Sequence, residues 1–380
     1  MTYINIHILQ PVAAANANRD DTGAPKSIIV GGVNRHRYSS QSQKHALRKK
    51  GAEMYGDLFD ATRTAHFAGA LSAVLAERGE AKPDALAVEA LVFMDLQKAK
   101  KAPARKPKKG EEEVEAAEDE EIAKSQQLLY YSAAQLQALA DAAQQYAVRK
   151  AAGEKLTPAA GIAMRTAALS APNSVELSIF GRMVAGTDSS LVAALQMAHA
   201  FSVHRSETQV DYLITSDDLQ TTGGAAHLNT VEFSSATFYR NASLNIEQFV
   251  KNVGTDDKDY IARGIATFLD LISKHSLPLG HNTQFAQSGV LPAYIAFEVA
   301  DAPSSWSTAF NTPVSEKNAL IEAIERVSAY RASRTAAYGD APTAAHGVVA
   351  YHEPLSVTGI ENASLAEAIE RTITAAVQNV

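Results

Sequence analysis

The sequence predicts an α+β fold, a sheet domain carrying inserted segments, on three observations. Residues 3–9 alternate apolar and polar side chains, the period of a strand. Stretches of helical composition recur at 61–97, 122–150, 245–274, 315–335 and 363–377, separated by extended segments. From His204 to Tyr239 two extended arms flank a turn, the pattern of a long hairpin or protruding loop. The 380 residues suit two domains or one elaborated one.

In chain order, Ile4, Ile6 and Ile8 point one way and Tyr3, Asn5 and His7 the other, which reads as a half-buried strand opening the sheet. Residues 11–32 read as loop. They hold Asn18-Arg19-Asp20-Asp21, then Gly23, Pro25, Lys26 and the pair Gly31-Gly32, whose lack of a Cβ permits close backbone approach to a ligand. Residues 33–39 suit a short strand. Residues 35–50 then carry Arg35, Arg37, Lys44, Arg48, Lys49 and Lys50 without one carboxylate. Ser40 and Gln43 have the S-x-x-Q spacing of a capping box, so a helix is expected from Gln41. Lys44 and Arg48 share one face of it. Leu47, Gly51, Met54 and Leu58 share another that can dock on a core. A capped helix start presents free N–H groups and partial positive charge to an anion, so hydroxyls and cations there suit a phosphate cradle. A solvated basic helix is the alternative reading.

Further on, Lys98–Lys109 is a basic run broken by prolines, and Glu111–Glu121 an acidic run. Such a segment cannot bury apolar surface and reads as a linker or insertion at 98–121, with contact to nucleic acid as the other reading. A loop is expected around Gly153–Pro158. Residues 175–187 read as a strand entering a glycine turn, with Arg182 and Met183 at the turn. Met there is core filler or a wedge against a base. Residues 188–203 read as a helix. In the hairpin, Val210, Tyr212 and Ile214 recur at period two. Gly280–Gly289 reads as a polar loop. Val290–Val299 reads as a strand, and Pro292 suggests an edge position. Residues 347–352 are expected to close the sheet.

The absence of cysteine excludes disulfides, thiolate metal sites and a cysteine nucleophile. The N-terminus lacks the pattern of a secretory signal and no apolar run is long enough for a bilayer, so a cytoplasmic protein without membrane contact is expected. The net charge of −7 argues against indiscriminate polyanion binding but leaves room for a local basic groove. His199 and His204 do not have the spacing of a helical zinc pair, and HExxH, Walker A, GxGxxG and GxSxG patterns are absent. No cofactor or metal is expected. Asp20 and Asp21 could act as general base or metal ligands, or more simply form a turn.

Several blocks, in order, resemble the CasC family, the repeated backbone subunit of the subtype I-E Cascade complex, a CRISPR RNA-guided assembly. They are Ile4-Asn5-Ile6-His7, Asn18-Arg19-Asp20-Asp21, Gly31-Gly32, Arg37-Tyr38-Ser39-Ser40-Gln41-Ser42-Gln43-Lys44, Gly181-Arg182-Met183, Met197-Ala198-His199-Ala200, Asp217-Asp218-Leu219-Gln220, and Ala226-His227-Leu228 through Glu232-Phe233-Ser234-Ser235 to Phe238-Tyr239-Arg240. The resemblance implies an RRM-like (ferredoxin-like) palm at 1–58, 183–203 and 233–380, helical fingers at 59–182 and a hairpin thumb at 204–232. It implies a non-catalytic subunit that stacks in copies along a CRISPR RNA, meets other Cascade subunits and leaves base edges free for a target DNA strand. Arg19, Lys26, Arg35, Arg37, Ser39, Ser40, Gln41, Lys44 and Arg48 or Lys49 are then expected at the RNA backbone. Met183 would lie beside a displaced base, and Arg182 next to it is also expected to bind the RNA.

The chain departs from the family in three places. Val33 and Asn34 thin the basic cluster, Leu213 stands on the thumb where an aromatic is expected and would act as an aliphatic wedge, and no RNP-type aromatic motif is legible. Two other readings stay open. One is a metal-dependent ribonuclease subunit using Asp20 or Asp21, the other an unrelated RNA-binding scaffold.

Overall fold

Strand β1 (Tyr3–Ala15) lies between two longer-range partners, and its burial follows from that. Ile6 stands opposite Phe297 on one side and Ala242 on the other, both antiparallel. Ile4, Ile6 and Ile8 are buried as the alternation predicts, but Asn5 and His7 on the opposite face are buried as well. That face is covered and its polar groups are satisfied. Asn5 Oδ1 accepts from Ser243 Oγ at 2.6 Å and from the Ser304 amide at 2.9 Å. The His7 ring meets the Tyr239 hydroxyl and the Glu298 carboxylate and stacks on Trp306 at 3.9 Å.

A computed structural model describes residues 1–16, 18–97, 128–183, 190–216, 225–275, 277 and 290–378, with side chains for all of these except 214–216 and 225–229. The charged insertion expected at 98–121, the hairpin tip at 217–224 and the polar loop at 280–289 lie outside the described residues. After β1 come β2 (Ser27–Val30), β3 (Val33–Tyr38) and α1 (Ser40–Met54). Next are β4 (Thr62–Thr64), α2 (Phe67–Glu77), α3 (Pro83–Phe93), β5 (Leu129–Tyr131), α4 (Ala133–Ala151), α5 (Pro158–Leu169) and α6 (Val175–Phe180). The chain continues with β6 (Leu195–Met197), β7 (Ala200–Ser202), β8 (Thr208–Ser216), β9 (Ala225–Asn245), α7 (Ile246–Val253) and α8 (Lys258–His275). It ends with β10 (Tyr294–Ala300), a 3₁₀ turn at Ser307–Phe310, α9 (Ala319–Tyr338), β11 (Ala344–Val349), β12 (Glu361–Asn362) and α10 (Leu365–Val377). The fold is mixed α and β, with a large sheet and ten α-helices among the described residues.

Two units divide the chain. The first comprises Met1–Leu58, Ala193–Lys251 and Thr255–Val380. Its sheet runs β12-β11-β10-β1-β9-β7-β3-β2, with β6 and β8 also paired to β9. Pairing is antiparallel except between β11 and β12. One core layer gathers Trp306, Phe310, Leu320, Ile324 and Val327 against Tyr239 and Tyr294. The second unit comprises Phe59–Val192 and Asn252–Gly254. Its core packs Phe67, Leu71, Leu75, Leu86, Leu91, Leu139 and Tyr146, contributed by α2, α3 and α4.

Several local expectations change for tertiary reasons. The 11–32 segment is not all loop: β1 runs on to Ala15 because β9 pairs with it as far as Ser234. Residues 61–97 contain two helices after the short β4, broken at 79–82, where Gly79 takes a positive φ of 81°. Leu129–Tyr131 is a strand paired with β4. Residues 175–180 are a helix rather than a strand, since Ser174 accepts the Leu177 amide as an N-cap and Gly181 ends the turn at φ 71°. The expected helix at 188–203 is instead the strands β6 and β7, captured by β9. The 245–274 helix is broken near Gly254, at φ 73°. Strand β10 is central, between β1 and β11, and Pro292 precedes it where no ladder amide is needed.

Candidate nucleic-acid interface

Gly31 and Gly32 make the two-residue turn of the β2–β3 hairpin, with φ of 59° and 76°, the left-handed values such a turn demands. A Cβ on Gly31 would meet the Asn311 carbonyl oxygen at 1.6 Å, so no other residue fits. The hairpin delivers Arg35 and Arg37 to β3 and runs directly into α1. The N-cap of α1 is Ser39, one residue earlier than the S-x-x-Q spacing suggests, and its hydroxyl accepts the Ser42 amide at 3.2 Å. Such a cap stabilises a helix by about 1 kcal/mol.

The loop before β2 is pinned to this helix start. Asn18 Oδ1 accepts the Ser39 amide at 3.0 Å, and the Asn18 carbonyl accepts the Lys26 amide at 2.9 Å. The Lys26 carbonyl accepts the Arg37 amide at 2.8 Å. Lys26, Arg37 and Ser39 are thereby brought together by two backbone bonds and the Asn18 side chain. Of the first-turn amides of α1, that of Ser40 goes to His199 Nδ1 and those of Ser42 and Gln43 go to Ser39. The amide of exposed Gln41 is left for solvent or a ligand.

Lys44 lies one turn further along and is half-buried, and burial pushes its ammonium below the ordinary value. Among the described residues no carboxylate forms an ion pair with Arg19, Lys26, Arg37, Lys44 or Lys49. Lys50 is paired with Glu53 at 2.9 Å, and Arg48 is half-buried on the same helix. Part of the basic stretch is therefore uncompensated charge at a capped helix start, which favours an anion.

Asp20 builds the preceding turn. Its Oδ1 accepts from the Thr22 amide, the Thr22 hydroxyl and the Ala24 amide at 2.9, 2.7 and 3.0 Å. The Thr22 hydrogen bond holds this carboxyl below its ordinary value. Asp21 is exposed beside it. Among the described residues no group of three or more His, Cys, Asp or Glu could hold a metal ion.

Two of the expected RNA-facing arginines are taken up by the fold. Arg35 is 0% exposed and donates to the Ser202 and Phe310 carbonyls at 3.0 Å each. Arg182, in the second unit, is buried and donates to Gln135 Oε1 at 2.8 Å and to the Tyr130 carbonyl at 3.3 Å. Charge counting could not separate these from Lys44, because burial is set by distant partners. Met183, also in the second unit, is 87% exposed and so is not core filler. Leu213 is 44% exposed on β8, opposite Asn229, next to exposed Tyr212. Sequence reasoning passed over Asn18, His199 and Arg240 as site-building residues. The signal available was only that all three lie inside motif blocks.

A family model described as CT1975-like protein matches residues 4–378. Among solved structures, a chain of a "CRISPR RNA-guided surveillance complex, pre-nicking" is similar at a TM-score of 0.79 and 28% identity, over 98% of this chain and 100% of that one. A chain of another "CRISPR RNA-guided surveillance complex" is similar at a TM-score of 0.71 and 26% identity, again over 98% and 100%. No curated protein matches the chain.

Proposed function

The chain belongs to the CT1975-like protein family, and from that membership and its basic helix start we propose that it is a non-catalytic RNA-binding backbone subunit of a CRISPR RNA-guided complex. The observation that carries the reading is the set of cations Lys26, Arg37 and Lys44 around the capped start of α1, none in an ion pair among the described residues. Contacts of this kind grip phosphates without reading sequence. Base edges then stay free to pair with a target DNA strand, so specificity resides in the guide.

In its finer form the reading is that of the CasC type. The sheet unit is an RRM-like palm, the helical unit the fingers and the β8–β9 hairpin a thumb whose Leu213 wedges between bases. Copies oligomerise along the guide in the cytoplasm and contact other complex subunits.

The decisive experiment is RNA binding by a Lys44→Ala, Lys49→Ala double variant across a salt series. Each lost phosphate contact lowers the slope of log K against log salt by about 0.7 on a single strand, so the pair should lower it by about 1.4 and weaken binding. An unchanged slope would overturn this placement of the RNA. The competing ribonuclease reading has Asp20 or Asp21 to work with, and Asp20 is already engaged in its turn. Magnesium-dependent periodic cutting of complementary RNA, lost in Asp20→Ala, would favour that reading instead.

A further inference from the structure

Beneath the start of α1 lies a buried cation with no counter-charge among the described residues. Arg240, on β9, is 3% exposed. Its guanidinium donates to three oxygens, and none belongs to a carboxylate. Nη1 meets Gln10 Oε1 at 2.6 Å, Nη2 the Ile272 carbonyl at 2.9 Å and Nε Gln43 Oε1 at 3.4 Å. Burial pushes its pKa down to about 9, which still leaves it charged at neutral pH. Gln43 belongs to the first turn of α1 and donates its Nε2 to the Ala198 carbonyl at 3.3 Å. The next residue, His199, accepts the Ser40 amide. Arg240 is thus one side chain removed from the turn whose amides and cations form the candidate phosphate cradle.

A lone buried cation is costly to a fold, and an anion docking above it offsets that cost. Protein interior also screens a charge far less than water does. The geometry points to Arg240 as an electrostatic positioning residue for the RNA: its buried charge raises the positive potential at the α1 start, and its bond to Gln43 fixes the register of that turn. This rests on the RNA-binding reading above. Direct phosphate contact is not part of its role, because the side chain is sealed from solvent.

The test adds a counter-charge from the sheet side, away from the RNA. Gln10 is buried on β1, so Gln10→Glu sets a carboxylate against Nη1 at the cost of the bond to the Val290 carbonyl. A merely structural arginine would gain an ion pair and leave RNA affinity alone. Gln10→Glu should stay folded, judged by its melting temperature, and bind single-stranded RNA about five-fold more weakly at low salt. Arg240→Lys keeps the charge and should bind within two-fold of wild type while melting earlier. A folded Gln10→Glu that binds like wild type overturns the inference. Should Gln10→Glu not fold, Arg240→Met compared with Arg240→Lys decides: weaker binding by Met alone supports the role, and equal affinities overturn it. Wild-type protein without RNA affinity would overturn the RNA-binding reading and this inference together. Normal wild-type binding beside an unaffected Gln10→Glu sinks only the inference.

Discussion

His199 accepts the backbone amide of Ser40 on its Nδ1 at 3.1 Å, so the imidazole holding the start of α1 must be neutral, with its proton on Nε2. Burial, and then the charge of Arg37, push its pKa below the ordinary 6.5. The folded state therefore disfavours protonation. Its stabilising contribution is complete above about pH 6.5 and is lost as pH falls through the depressed folded value. His199→Leu should cost about 1 kcal/mol at pH 7.5, the worth of one hydrogen bond. It should also lose less stability than wild type between pH 7.5 and 5. Urea unfolding at the two pH values measures both, and an equally steep decline in the variant would exclude His199 as the titrating group.

Glu298 makes a different pH prediction. Burial raises its pKa, but the hydrogen bond from His7 at 3.1 Å, then the charge of Arg331 and its hydrogen bond at 2.8 Å, outweigh that and hold it down at about 2. Burial also keeps the His7 ring neutral. The carboxylate's contribution is present above its ordinary 4.5 and is lost as pH falls through about 2. Glu298→Gln removes the counter-charge of Arg331, which keeps its bond to the Thr358 carbonyl, and should cost about 3 kcal/mol. Chemical denaturation at pH 7 checks the loss, and a cost under 1 kcal/mol would show that the pair contributes little.

These two residues mark how far the sequence could be read. The alternation Ile4, Ile6, Ile8 announced β1, because period two is a local signal. That Asn5 and His7 are buried as well was not legible, since Ser243, Glu298 and Ser304 reach them from hundreds of residues away. The basic stretch at 35–50 was legible as charge and as a capped helix. Its division into buried Arg35 and available Lys44 was not, because the Ser202 and Phe310 carbonyls decide it. Residues 195–202 read as helix on composition and became strand because β9 offers edges to both β6 and β7.

Gly161 tests the packing of the second unit. A Cβ there would stand 2.0 Å from the Phe93 carbonyl oxygen, where α5 crosses the end of α3. Arg165, one turn later, donates to the Met94 carbonyl at 3.3 Å and locks the approach. Neither backbone can yield without disturbing the other. Gly161→Ala should destabilise by about 1–3 kcal/mol despite the better helix propensity of alanine. Thermal unfolding measures it, and a neutral or stabilising outcome would show that the helices separate freely.

Leu213 is where a functional reading of an exposed side chain can be told from a structural one. It is 44% exposed on β8, beside Tyr212 at 66%. Exposed β-branched and aromatic residues suit a strand, but an exposed apolar tract along a hairpin has no folding role to explain it. Leu213→Ala should therefore change stability by less than about 0.5 kcal/mol. If the hairpin wedges between bases, the same change should weaken unstacking. A guide RNA carrying 2-aminopurine at successive positions reports this as fluorescence that rises where a base is displaced. Wild type should brighten at a regular interval along the RNA, and Leu213→Ala should blunt that pattern while phosphate-driven binding persists. Lys44→Ala should do the reverse, lowering affinity while the bound fraction keeps its pattern. Should Leu213→Ala keep the full pattern, Leu213 is not a wedge between bases.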